Sequence, residues 1–210
     1  MVPVTGKTAA ARTALESLAI GWGVPVSDDQ VARLLQFAEL LLLWNERINL
    51  TGARSVEALV DEHLPDSFAV ASVLGEPARV IDVGSGGGLP AIPLSILRPA
   101  LQVLLVEPLA KKVAFLRTAV RELGLGGRIA IDPRRIEEVV ASPRDAPDVA
   151  LSRATFPPAR WLEVGRGLVR PGGQVLVLTV PETELAGRRL VYLEGRRLLI
   201  QVQQASGCST

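Results

Sequence analysis

From Arg79 onward, short apolar runs alternate with amphipathic segments, and the first run passes straight into a glycine-rich turn: RVIDVGSGGGLPAIPLSIL. The runs RVIDV, QVLLVE, RIAI, DVALSRA and QVLVLT have the continuous apolar character of strands buried on both faces. PAIPLSIL reads as a helix with Pro90 at its first position. LAKKVAFLRTAVREL turns Val113, Leu116, Val120 and Leu123 to one face and stops at Gly124. RRIEEVV reads as a short helix, and PPARWLEVGRGL leads into the RPGG turn before the fifth strand. Strands that alternate with helices make βαβ units and a parallel sheet covered on both sides. RRLVYLEGRRLLIQVQ reads as two strands around Glu194-Gly195, an antiparallel hairpin that closes the sheet.

The first 75 residues follow a different rhythm and read as helical. SDDQVARLLQFAELLLLWNERINL opens with Ser27 and Gln30 at the spacing of a capping box. Val31, Leu34, Leu35, Ala38, Leu41 and Leu42 then recur on one helical face. Gly52 breaks that helix, Ser55 caps a second one that ends near Pro65, and the apolar segment SFAVASVL stops at Gly75. The expected organisation is a helical extension over 1–75 and one α/β domain over 76–210. The extension has too small an apolar face for a core of its own, so it is expected to pack on the domain.

Composition narrows the function classes. A net charge of +1 argues against a broad basic surface that grips nucleic acid by charge alone, but not against a local patch. Only three of the 23 basic residues are lysines, Lys7, Lys111 and Lys112. With four Phe, three Trp and one Tyr there is little from which to build a base-stacking platform. One cysteine, Cys208, and one histidine, His63, make neither a disulfide framework nor a Cys/His metal site, and no metal is expected. The sequence has no apolar run of membrane-spanning length and no apolar stretch of signal-peptide type near Met1. A soluble, cytoplasmic protein acting as a monomer, without membrane partners, is expected.

In a doubly wound sheet a ligand sits at the carboxyl ends of the strands, where strand order reverses. The turn there is Gly84-Ser85-Gly86-Gly87-Gly88-Leu89. A dinucleotide fingerprint needs Gly or Ala where Leu89 stands, and a phosphate-binding P-loop needs a Lys-Ser/Thr pair that is absent. The spacing that fits is G-x-G-x-G. Glu107 ends the second strand, where a carboxylate can accept hydrogen bonds from both ribose hydroxyls of an adenosine. Taken singly, the glycines could serve only the turn, and Glu107 could be a solvated strand end. In this order, with the late Pro-Gly-Gly turn and the antiparallel end, the set resembles a class I S-adenosylmethionine-dependent methyltransferase, a Rossmann-like α/β fold.

A narrower resemblance rests on further residues. LLLLWNERINLTGARSVEALVDEHLPDSF carries W-N-x-x-x-N-L-T and then H-x-x-D-S, and DVGSGGGLPAIPLSILRP, KKVAFL, RIEE and SRA follow in order. Over about residues 30–180 the chain resembles the bacterial small-subunit ribosomal RNA (guanine-N7) methyltransferases, the RsmG or GidB family. The resemblance implies methyl transfer from S-adenosylmethionine to N7 of one guanine in the decoding-region loop of 16S rRNA. The partner it implies is that RNA, the small subunit or an assembly intermediate. It places Gly84, Ser85, Gly86 and Leu89 along the cofactor. Glu107, Pro108 and Leu109 fall at its ribose and adenine, and Ile136 and Glu137 at the adenine edge. Arg153 becomes the catalytic candidate at the mouth of the site, near both cofactor and substrate.

The same resemblance puts Asn45, Asn49, His63, Asp66, Ser67, Lys111 and Lys112 on the RNA side. His63 also has a structural reading, with Asp66 as its partner, and the lysines could be a solvated helix face. Trp44 reads as a core anchor. Guanine N7 carries a free lone pair, so the chemistry asks for alignment and electrostatics and not for a general base. The chain departs from the family in Ala91, where glycine is usual, and in the short link TVPETELAG after the fifth strand. That link is too short for a crossover helix, so the C-terminal edge is expected to be incomplete. Methylation of another substrate and a non-catalytic cofactor-binding module on the ribosome are the alternatives. An NAD-dependent oxidoreductase is disfavoured by Leu89.

Overall fold

The computed structural model describes residues 6–75, 78–139 and 146–205; Cys208 and Val140 lie outside them. Four helices come first: α1 (Gly6–Trp22), α2 (Asp28–Asn45), α3 (Val56–Glu62) and α4 (Leu64–Val73). Then follow β1 (Arg79–Val83), α5 (Ala91–Leu97), β2 (Gln102–Val106), α6 (Ala110–Glu122) and β3 (Ile129–Asp132). The chain continues through β4 (Val149–Arg153), α7 (Pro158–Leu168) and β5 (Gln174–Thr179), and ends in β6 (Arg188–Tyr192) and β7 (Arg197–Gln203). Among the described residues no helix is long and apolar enough to cross a membrane.

The sheet runs β3-β2-β1-β4-β5-β7-β6. Strands β1 to β5 are parallel, while β7 lies antiparallel between β5 and β6. Chain order reverses between β1 and β4, which opens a crevice at their carboxyl ends. Alternate residues of each strand face opposite layers. Val80, Val103, Leu105, Leu151 and Leu176 join α1 to α6 in one core cluster. Ile81, Val83, Ala150, Val175 and Val177 face the other way, toward Trp161 and Leu162 of α7.

Side chains that end one element on another hold the helical layer down. Ser27 and Gln30 form the capping box, and the Gln30 amide also donates to the carbonyl of Ile96 at 2.7 Å, at the end of α5. The guanidinium of Arg33 donates to the carbonyl of Leu123 at 2.9 Å, beyond the end of α6. Arg98 reaches the carbonyl of Ala71 near the end of α4. Helix ends leave carbonyls unpaired, and long cationic side chains satisfy them. Several of the many arginines therefore serve the fold.

Four local expectations need correction. Pro90 is the N-cap of α5 and not its first helical residue. Pro65 lies in the first turn of α4 and not at the end of α3, since its missing N–H costs nothing there. Among the described residues of RRIEEVV there is one 3₁₀ turn, Ile136–Glu138, with an extended Arg135 before it, and no α-helix. The C-terminal edge is also complete, with β6 and β7 both paired although the link between β5 and β6 holds no helix. Arg189 donates to the carbonyls of Thr183 and Pro181, and the hydroxyls of Thr179 and Thr183 meet at 2.8 Å, so side chains fix the link in place of a helix.

Candidate functional site

The glycine turn is tied to the neighbouring strand. The backbone N–H groups of Gly84 and Ser85 both donate to the carbonyl of Val106, at 2.9 and 3.1 Å, where β2 ends. Gly84 has φ +73° and lies so close to Thr155 that an added Cβ would overlap Oγ1 and sit 2.6 Å from Cγ2. The segment after β4 thus packs directly on the turn. Gly86, at φ +56°, differs: its added Cβ would meet nothing nearer than 3.7 Å. Above it opens a cavity of about 490 Å³, whose lining includes Ser85, Gly86, Leu89, Glu107, Pro108 and Leu109. The sequence expectation brought these residues together, and the structure adds Leu50, Lys112, Arg135 and Thr155 around them.

Glu107 is 3% exposed. Its carboxylate accepts from the N–H of Gly86 at 2.9 Å and from the N–H of Leu109 at 3.0 Å, one bond on each oxygen. An ionised carboxylate has about four acceptor positions. Two therefore remain for a vicinal pair of hydroxyls. Beneath the turn lies Asp82, fully buried in β1, with Oδ2 unpartnered among the described residues. Burial pushes its carboxyl up to about 7, against the opposing influence of Ser85 and Arg153. An acid in the middle of a strand buried on both faces is costly unless something compensates. The apolar run RVIDV contains this acid, and the cost of burying it was the available signal.

Arg153 ends β4 at the cavity mouth and is anchored from the helical layer. One guanidinium nitrogen donates to Asp66 Oδ2 at 3.0 Å and approaches His63 Nδ1 at 3.2 Å. Asp66 is 1% exposed and accepts a second bond, 2.6 Å long, from the Tyr192 hydroxyl on β6. Arginine only donates, so Nδ1 of His63 is the acceptor and the proton sits on Nε2, 3.2 Å from Thr51 Oγ1. Burial, and next the Arg153 charge, hold the His63 pKa below its usual value, in keeping with a neutral ring. Arg153, Asp66, His63, Thr51 and Tyr192 thus form one network across both parts of the chain.

Several residues expected on the RNA side are placed elsewhere. Asp66 pairs with Arg153 and Tyr192 and makes no hydrogen bond to His63. Ser67 is wholly buried and its hydroxyl donates to the carbonyl of Pro90. Asn45 spends its amide on the backbone of Leu50 and Thr51, closing the loop after α2. That loop carries Leu50 to the cavity. Ile136 packs under the sheet with the α7 cluster, Glu137 is exposed, and neither lines the cavity; Arg135 does. Asn49, Lys111 and Lys112 gather in a groove beside it. Ala154 takes a left-handed φ of +56°, a strain of roughly 1–2 kcal/mol for a residue with a Cβ. That turn sets Thr155 against Gly84 just beyond Arg153. No cluster of three His, Cys, Asp or Glu side chains with metal-binding geometry occurs among the described residues.

Comparison with known proteins matches this architecture. Residues 30–202 match the family model described as rRNA small subunit methyltransferase G. The chain is 39% identical over 170 residues to the ribosomal RNA small subunit methyltransferase G of Azoarcus sp. (strain BH72), covering 80% of this chain and 78% of the relative. It is 40% identical over 197 residues to the protein of that name from Rubrobacter xylanophilus, covering 90% of this chain and 74% of the relative. Among solved structures, an O-methyltransferase family protein from Burkholderia thailandensis superposes with a TM-score of 0.54 at 19% identity, over 86% of this chain and 72% of that one, a likeness of fold. The fold is the class I methyltransferase fold, and the chain belongs to the rRNA small subunit methyltransferase G family.

Proposed function

We propose that the chain methylates N7 of one guanine in the decoding-region loop of 16S rRNA, with S-adenosylmethionine as methyl donor, in the bacterial cytoplasm where ribosomes are assembled. The observation that carries this reading is the pairing of two features at one cavity: Glu107 with two acceptor positions to spare, and Arg153 held at the mouth.

The residues fit that donor. Glu107 would accept from the ribose hydroxyls, with Pro108 and Leu109 beside the adenine. Gly86 leaves open space where a ligand backbone would lie. Leu89, 4% exposed, stands where a dinucleotide fold needs a small residue. S-adenosylmethionine supplies an activated, electrophilic methyl group.

Guanine N7 needs no deprotonation, so this chain's task is to orient and to exclude water. The Arg153 side chain is one-fifth exposed and two of its contacts are internal, which leaves donors for guanine O6 or a neighbouring phosphate. His63 is neutral and already bonded on both nitrogens, in keeping with a site that works without a base. The test is transfer of labelled methyl from S-adenosylmethionine to small subunits from cells lacking the modification, alongside transfer RNA and large subunits. Label confined to small-subunit RNA is expected. Label in another acceptor, or none with the donor bound, would move the chain to one of the alternatives.

A further inference from the structure

The C-terminal end of α2 and the loop after it face the start of α6 across two connected grooves of about 450 and 520 Å³. The floor is apolar, with Leu43, Trp44, Ile48, Leu109 and Ala114. Two of its leucines are exposed, Leu43 at 58% and Leu109 at 55%. The walls are cationic: Arg47, Lys111 and Lys112. Among the described residues no carboxylate lines either groove, and none of these three side chains has an ion-pair partner. Other cations of the chain are paired. Arg12 pairs with Asp28, Arg33 with Asp29 and Arg170 with Asp148. Three unneutralised cations therefore gather beside the cofactor cavity. Leu109 and Lys112 line both spaces, so the groove adjoins that cavity.

We infer that this groove binds an unpaired nucleotide next to the methylated guanine on the same RNA strand. The base lies on the Leu43–Ile48–Leu109 floor, and its flanking phosphates meet Arg47, Lys111 and Lys112. The inference rests on the reading of RNA as substrate. Cations alone would suit any polyanion. The apolar floor between them is what a base-paired stem, with its bases stacked inside, would leave uncovered, and what an unstacked base fills. Asn49 in the same lining supplies a polar side chain to the base edge or the sugar.

The test uses the full chain and a small-subunit RNA fragment containing the unmodified decoding loop. RNA affinity is measured against salt for the wild type, for the Arg47→Ala/Lys111→Ala pair and for Leu43→Glu, with donor affinity as the check on folding. Loss of two phosphate contacts should weaken RNA binding roughly 10- to 100-fold and lower the slope of log affinity against log salt by about 1.4. Leu43→Glu should weaken binding of the loop far more than binding of a fully paired stem of equal length. Donor affinity should stay within about twofold in both. Unchanged RNA affinity and salt slope in the double variant, with a wild type that binds and methylates RNA, would overturn the groove and leave the function standing. A wild type that neither binds nor methylates the RNA would overturn both. Equal loss of stem and loop binding in Leu43→Glu would reject the base on the floor.

Discussion

Tyr192 donates a 2.6 Å hydrogen bond to Asp66, and Asp66 in turn holds Arg153 at the mouth of the cofactor cavity. The last hairpin therefore reaches the catalytic candidate through a residue of the first helical layer. Burial, and next the Asp66 charge, push the Tyr192 pKa well above its usual value, so the hydroxyl remains a donor throughout the working range. Replacing it leaves a buried carboxylate oxygen short of one partner. Tyr192→Phe should cost about 1–3 kcal/mol of stability. It should also lower kcat with little change in donor affinity, since Arg153 loses part of its support. Denaturant unfolding together with the split between kcat and KM checks both.

Arg153→Ala should lose most activity while donor affinity stays within several-fold. It also leaves Asp66 buried without its cation, a change that typically costs about 3–5 kcal/mol. Asp66→Asn in the same background removes the stranded charge and should recover stability but not activity. Equal loss of activity and donor affinity in the single variant would make Arg153 a cofactor residue.

Asp82 contributes a distinctive part of the pH dependence of stability. Its carboxyl is raised to about 7 by burial, so the folded chain binds more protons than the unfolded one between about pH 4 and 7. The contribution of Asp82 to stability should therefore fall as pH rises across that window and level off above it, against a rise from His63, whose pKa is held below its usual value. Asp132, lowered by its hydrogen bond from Arg134, has the opposite slope and acts in more acid solution. So does Asp148, where the Arg79 N–H and Arg170 outweigh the effect of burial. Asp82→Asn should flatten the profile and stabilise the protein at pH 8. Urea unfolding at pH 5 and pH 8 would show it; an unchanged slope would contradict it.

The two glycines of the turn should respond differently. Gly84→Ala meets Thr155 and a left-handed backbone together, and should destabilise the chain and abolish donor binding. Gly86→Ala meets only the backbone strain, on the order of 1 kcal/mol. It should leave the chain folded and yet weaken donor binding, because its methyl enters the cavity. Thermal melting and calorimetry on the two variants separate these outcomes.

Much of this was legible beforehand because it is local. The alternation of apolar runs gave the five parallel strands, Ser27 and Gln30 marked the start of α2, and Gly84 to Leu89 marked the turn. What distant residues decide was not legible. Asp66 lies only three positions from His63, which suggested a local pair, yet it bonds to Arg153 and Tyr192, 87 and 126 positions away. Ser67 and Asn45 share a motif with exposed positions but are turned to the backbone by packing. The edge strands form without a crossover helix because Arg189 and two threonines fix the link, a device that periodicity does not reveal.

The most direct test of the account is the identity of the methylated atom. Small subunits from cells lacking the modification are incubated with the protein and S-adenosylmethionine. The RNA is then digested for nucleoside mass spectrometry and, in parallel, treated with borohydride and aniline, which cleave the strand at N7-methylguanine. The account predicts 7-methylguanosine and a single cleavage in the decoding-region loop. Methyl transfer without that nucleoside, or cleavage elsewhere, would contradict it.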